Sequence, residues 1–96
     1  MRRKLSMKAI EDKLQTMEDW ELEDGQLKKE FLVDDFVEAL HFVNKVGAIA
    51  EDADHHPDIL IKFNRVTFYL STHSAGGITE TDFQLAEQID SAAPVG

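Results

Sequence analysis

The sequence predicts an α+β fold: one four-stranded antiparallel sheet with helices packed on one face, in the order helix, two strands, helix, two strands, helix. Three observations predict it. Period-two alternation occurs in two places, each interrupted by a turn signal, Asp24-Gly25 and Asn64-Arg65. Apolar residues recur at helical spacing in the stretches that flank and separate those hairpins. The chain has 96 residues, 43% of them apolar, enough for one small core and so for a single domain over residues 1–96.

Each element has its own signal. Ser6 caps a first helix to about Met17, with Leu5 and Ile10 at the positions of a hydrophobic staple and Ile10, Leu14 and Met17 on one face. Trp20-Glu21-Leu22-Glu23 and Leu27 to Phe31 alternate around Asp24-Gly25, a hairpin with one wet face that Trp20 anchors in the core. Asp35, with Glu38 three residues on, opens a second helix to Gly47 or Ala50. Phe36, Leu40, Val43 and Gly47 mark its stripe, widened by Val37, Val46 and Ala50. The second hairpin spans Ile59 to Thr72, with Asn64-Arg65 at its turn and Val66, Phe68 and Leu70 on its inner face. His73 to Gly77 reads as a flexible loop. Thr79 caps the last helix, which turns Phe83, Ala86 and Ile89 or Asp90 to one side and ends near Ala92, before Pro94. One helix layer leaves a sheet face and two sheet edges uncovered, so a homo-oligomer, a homodimer or homotetramer, is expected.

Composition removes several function classes. Nineteen Asp and Glu against ten Lys and Arg give a net charge of -9, the opposite of a nucleic-acid footprint. Arg2-Arg3-Lys4 and Lys28-Lys29 are too short to steer a polyanion, and the acidic stretch Glu11 to Asp24 reads as a solvated helix face and loop, with a docking surface for a basic partner as the alternative. No run of about 18 apolar residues exists to span a membrane, and no apolar segment follows the basic start to make a secretory signal. Cysteine is absent, which excludes disulfides, zinc thiolates and thiol nucleophiles. A cytoplasmic protein is the expectation.

The chemistry gathers in Glu51-Asp52-Ala53-Asp54-His55-His56-Pro57-Asp58. Pro57 biases His56 toward extended backbone, where neighbouring side chains point apart, so His55 and His56 do different jobs. A turn at Asn64-Arg65 sets His73 roughly opposite His56, bringing His55, His56 and His73 to one end of the sheet, with Asp82 on the last helix beside them. Three imidazoles among carboxylates suit general acid and base work near neutral pH, since histidine ordinarily titrates at about 6.5. The chemical rival is a metal held by two histidines and a carboxylate, although no dedicated spacing such as H-E-x-x-H occurs. Ser71 and Ser74 lie near His73 without a nucleophile-elbow pattern, and Gly76-Gly77 lacks the spacing and lysine of a phosphate loop. His41 stands alone in mid-helix and reads as a surface residue.

These residues carry a resemblance. Glu51-Asp52-Ala53-Asp54-His55-His56-Pro57, Phe63-Asn64-Arg65-Val66, Leu70-Ser71-Thr72-His73, and Asp82 after Gly77-Ile78-Thr79-Glu80 resemble the pterin-4a-carbinolamine dehydratase family, from about Leu14 to Ala92. The resemblance implies removal of water from 4a-hydroxytetrahydropterin, giving the quinonoid dihydropterin in tetrahydrobiopterin recycling, without metal or organic cofactor. It implies the fold just derived, as dimers or tetramers, and in animals a second role as dimerisation cofactor of a homeodomain transcription factor. By position, His55 and His73 resemble the acid–base pair and His56 the residue that orients substrate. Glu51, Asp54 and Asp82 resemble the supporting carboxylates. Many members have Trp where this chain has Ile59, so stacking by that indole is lost here.

Overall fold

Each hairpin supplies one edge strand and one central strand. In the computed structural model, which describes residues 3–94, β1 (Glu21–Glu23) pairs with β2 (Gln26–Leu32) and β3 (Asp58–Lys62) with β4 (Arg65–Leu70). β2 joins β4, giving one antiparallel sheet in the order β1-β2-β4-β3. Three helices, α1 (Met7–Leu14), α2 (Phe36–Ala53) and α3 (Glu80–Ala92), complete the α+β architecture that the sequence predicts. Arg2 of the basic Arg2-Arg3-Lys4 cluster lies outside the described residues.

The core forms where the inner faces of β2 and β4 meet α2 and α3. Leu27, Val66, Phe68 and Leu70 from the strands are fully buried with Phe42 and Val46 from α2 and Leu85 and Ile89 from α3. Phe31, Phe42 and Phe68 pack edge to face, with ring centroids 5.0 Å (Phe31–Phe42), 5.8 Å (Phe31–Phe68) and 5.3 Å (Phe42–Phe68) apart. Trp20 is the anchor expected of it: the ring is buried, and its N–H donates to Asp90 Oδ2 at 3.0 Å. Lys29 Nζ holds the other Asp90 oxygen at 2.8 Å, so the carboxylate ties the first hairpin to α3.

The turn at Asp24-Gly25 follows its signal. Glu23 pairs with Gln26, and the two residues between them have φ of 51° and 78°, the positive values a two-residue hairpin turn requires. Ser6 and Asp35 cap α1 and α2, accepting from Ala9 N–H at 3.2 Å and Glu38 N–H at 2.9 Å. α3 keeps its expected limits, with Thr79 as cap.

Elsewhere the structure departs from expectation. α1 stops at Leu14 rather than Met17, because the Thr16 hydroxyl competes for the Lys13 carbonyl at 2.8 Å and the chain tightens into a turn. α2 runs through Gly47 to Ala53, where Asp54 in the left-handed region (φ 50°) ends it. Its buried stripe is Ala39, Phe42, Val46 and Ala50, while Phe36, Val37 and Leu40 face outward. The helix is apolar around more than half its girth, so spacing alone did not select the inner face. The second hairpin turns at Phe63-Asn64, one residue earlier than expected, with Lys62 paired to Arg65 and Phe63 at φ 52°. Alternation is satisfied by either register: Ile61 faces Val66 here and would face Phe68 in the other. Beside the turn, Val33 N–H, just after β2, binds Asn64 O at 2.9 Å and extends the β2–β4 ladder past its Leu32–Arg65 pair. The loop after β4 contains a single 3₁₀ turn at His73–Ala75, closed by a Thr72–Gly77 bridge.

Gly47 is exposed on α2, and a Cβ there would meet no atom within 4 Å. Gly47→Ala is therefore expected to stabilise the fold by about 0.5–1 kcal/mol. Thermal unfolding measured by circular dichroism should rise by several degrees; an unchanged or lower midpoint would contradict the open environment.

Candidate active site

The end of α2 and the end of β4 meet at one corner of the sheet. A cleft of about 280 Å³ opens there, lined by Asp54, His55, His56, Ser71, Thr72, His73 and Ser74. The left-handed Asp54 turns the chain off α2, and His55 N–H reaches back to Ala50 O at 3.1 Å. Pro57 then starts the chain toward β3, so His55 and His56 leave the corner in different directions. The 3₁₀ turn brings His73 to the same cleft from the other side.

The three imidazoles differ in setting. His55 is buried, and its Nε2 lies 2.5 Å from Asp82 Oδ1. Asp82, at the third position of α3, is fully buried; its Oδ2 accepts from the Thr72 hydroxyl at 2.8 Å and from Thr79 N–H at 2.9 Å. The Thr79 and Thr72 hydroxyls are 2.8 Å apart. His56 is exposed, its Nε2 2.6 Å from Glu51 Oε1 on the last turn of α2. His73 is exposed, and its ring has no hydrogen-bond partner among the described residues. One imidazole is thus fixed, one loosely tethered and one unencumbered. Imidazoles in such different settings can supply a base and an acid to one cleft.

The register puts His73 beyond the end of the β3–β4 ladder, whose last pair is Asp58 with Tyr69, rather than opposite His56. The 3₁₀ turn still carries it to the cleft. Asp54 lines the cleft directly; Asp82 lies beneath His55, and Glu51 at the rim beside His56. His41 is on the exposed face of α2, 3.8 Å from Glu38. Ile59 is partly exposed on β3. Sequence reasoning missed Thr72 and Thr79 as partners of the buried carboxylate; the Thr79-x-x-Asp82 spacing of a helix cap was the available signal. Among the described residues no group of three His, Asp or Glu forms a metal-holding set. The Nε2 atoms of His55 and His56 face separate carboxylates. A larger hollow of about 1000 Å³ lies between α2 and α3, around Lys45, Ile49 and Gln88, but no imidazole lines it.

Comparison with known proteins bears on the chain as a whole. A sequence profile of the family described as Pterin 4 alpha carbinolamine dehydratase matches residues 3–92. A relative from Sulfurisphaera tokodaii, provisionally named pterin-4-alpha-carbinolamine dehydratase, is 47% identical over 88 residues, 92% of this chain and 95% of its own. One of the same name from Acidobacterium capsulatum is 49% identical over 86 residues, 90% of this chain and 94% of its own. The crystal structure of a transcriptional coactivator/pterin dehydratase from Brucella melitensis superposes with a TM-score of 0.90 at 31% identity, covering 96% of this chain and all of that one. With the profile spanning nearly the whole chain and relatives this similar over nine-tenths of it, the chain belongs to the pterin 4 alpha carbinolamine dehydratase family.

Proposed function

We propose that the protein is a 4a-hydroxytetrahydropterin dehydratase that works by histidine acid–base catalysis. The observation that carries this is the cleft at which His55, His56 and His73 meet, one of them seated on a buried carboxylate, in a chain of this family. A base takes the proton of a pterin ring N–H as an acid gives one to the departing 4a-hydroxyl. The C–O bond breaks, a C=N bond forms, and water and the quinonoid dihydropterin leave. His55 and His73 are the acid–base pair and His56 orients the ring. Asp82 positions His55, Glu51 tethers His56, and Asp54 receives polar edges of the pterin by hydrogen bonds. Each proton transfer is worth about 10²–10⁴-fold, enough for an activated carbinolamine without metal or organic cofactor. The cellular setting that fits is recycling of tetrahydrobiopterin in the cytoplasm; no helix of the described residues is long and apolar enough to cross a membrane.

The test follows the ultraviolet decay of enzymatically generated 4a-hydroxytetrahydropterin with and without the protein, each with and without EDTA. Acceleration that EDTA leaves unchanged is expected. Decay no faster than the spontaneous rate would remove the activity from this chain.

We also propose that the protein works as a homodimer or homotetramer. On α2, Phe36, Val37 and Leu40 remain 46%, 55% and 39% exposed, an apolar face. The edge strand β3 leaves Ile59 and Leu60 partly exposed as well. Light scattering after size exclusion should report a multiple of 10.9 kDa, reduced by Leu40→Glu. A monomeric parent protein would refute the oligomer and turn the α2 face into support for a protein-binding role, such as the transcription cofactor of animals.

A further inference from the structure

Thr72 and Thr79 are fully buried, and no mechanism built on the histidines and carboxylates alone uses their hydroxyls. The loop they flank is already closed by backbone bonds, Thr72 N–H to Gly77 O at 2.8 Å and Gly77 N–H to Thr72 O at 3.3 Å. Loop closure therefore does not explain the Thr72 hydroxyl.

Donor and acceptor arithmetic gives that hydroxyl a direction. The amide N–H of Thr79 can only donate, and it donates to Asp82 Oδ2. A proton on that oxygen would confront a fixed donor, so the Thr72 hydroxyl supplies its hydrogen to Oδ2 rather than receiving one. Thr72 having spent its hydrogen, its oxygen accepts from the Thr79 hydroxyl. The chain of donors runs one way, Thr79 to Thr72 to Asp82, and holds the carboxylate as an acceptor. Two donors on Oδ2 favour the negatively charged carboxylate, whose Oδ1 then accepts from the Nε2–H tautomer of His55. The neutral ring carries its lone pair on Nδ1.

We infer that Thr72 is a positioning residue: through Asp82 it fixes the tautomer of His55 and thereby the ring nitrogen that exchanges protons with substrate. The inference rests on the dehydratase reading for its kinetic consequence only; the tautomer is a property of the protein itself.

The test joins ¹⁵N NMR of the imidazoles, above neutral pH, to dehydration kinetics of the full chain. In the parent protein His55 should be the Nε2–H tautomer. In Thr72→Val, nearly isosteric but without the hydroxyl, the Nδ1–H form should gain population. Its kcat should fall about tenfold, the scale of losses when an orienting partner is removed, with KM changed by less than about twofold. Thr72→Ser should recover most of that loss. A role in folding alone would lower the melting point of both variants without moving the tautomer or splitting kcat from KM. Parent His55 in the Nδ1–H form would overturn the inference. So would a folded Thr72→Val with parental kcat and spectrum, or a Thr72→Ser as impaired as the valine variant. Should Thr72→Val fail to fold, the parent tautomer and Thr72→Ser decide. A parent protein inert toward the carbinolamine would sink the dehydratase reading, while the NMR result would still decide the role of Thr72.

Discussion

His73→Ala is expected to slow dehydration by about 10²–10⁴-fold, the usual worth of one well-placed proton transfer. The fold should hardly notice. The imidazole is exposed on the 3₁₀ turn, its ring bonds to nothing among the described residues, and the turn is held by backbone bonds. Exposed substitutions of this kind usually change stability by less than about 0.5 kcal/mol. The pairing of a large kinetic loss with an unmoved melting temperature is the signature of a group kept for chemistry. Turnover within a few-fold of the parent would show that His73 lines the cleft without acting in it.

Asp82→Asn should cost either stability or the His55 tautomer, and activity in both cases. The carboxylate accepts from Thr72, from Thr79 N–H and from His55, all in a region closed to water. An amide has one accepting end. If its NH₂ faces the threonines, two donors meet a donor. If it faces His55, the ring must accept on Nε2 and carry its proton on Nδ1, the reverse of the parent arrangement. The first arrangement leaves a buried donor without its partner, at a cost of about 1–3 kcal/mol of stability; the second keeps all three bonds and reverses the tautomer. Reversing a catalytic tautomer has cost an unrelated hydrolase about 10⁴-fold, and a loss of about 10²–10³-fold is expected here. Denaturant unfolding and the carbinolamine assay measure the two losses. Parental behaviour in both would mean that the buried carboxylate carries neither structure nor function.

The sequence marked elements best where a residue type has one local use. Asp24-Gly25 adopts the positive φ pair that its side chains permit, and Thr79 to Ala92 is the last helix because a cap opens it and Pro94 follows it. It was least informative where two arrangements satisfy the same pattern. Both registers of the second hairpin match apolar to apolar: Ile61 pairs with Val66 in the observed one and would pair with Phe68 in the other. α2 offers two apolar stripes, and tertiary packing selected Ala39, Phe42, Val46 and Ala50. At the candidate site, the clustering of His55, His56 and Pro57 was visible as sequence. The place of Asp82 beneath His55 was foreshadowed only as proximity. The donor chain through Thr72 was not legible, because threonine beside a strand end is ordinary until its buried partner is known.

The central claim is that this corner of the sheet removes water from a pterin carbinolamine through its imidazoles. The most direct measurement compares three decay rates of 4a-hydroxytetrahydropterin under identical buffer: spontaneous, with parent protein, and with the folded His55→Ala/His73→Ala double variant. The account predicts strong acceleration by the parent and a rate near the spontaneous one with the double variant. Equal acceleration by both proteins would contradict it, because the dehydration would then proceed without the residues to which the chemistry is assigned.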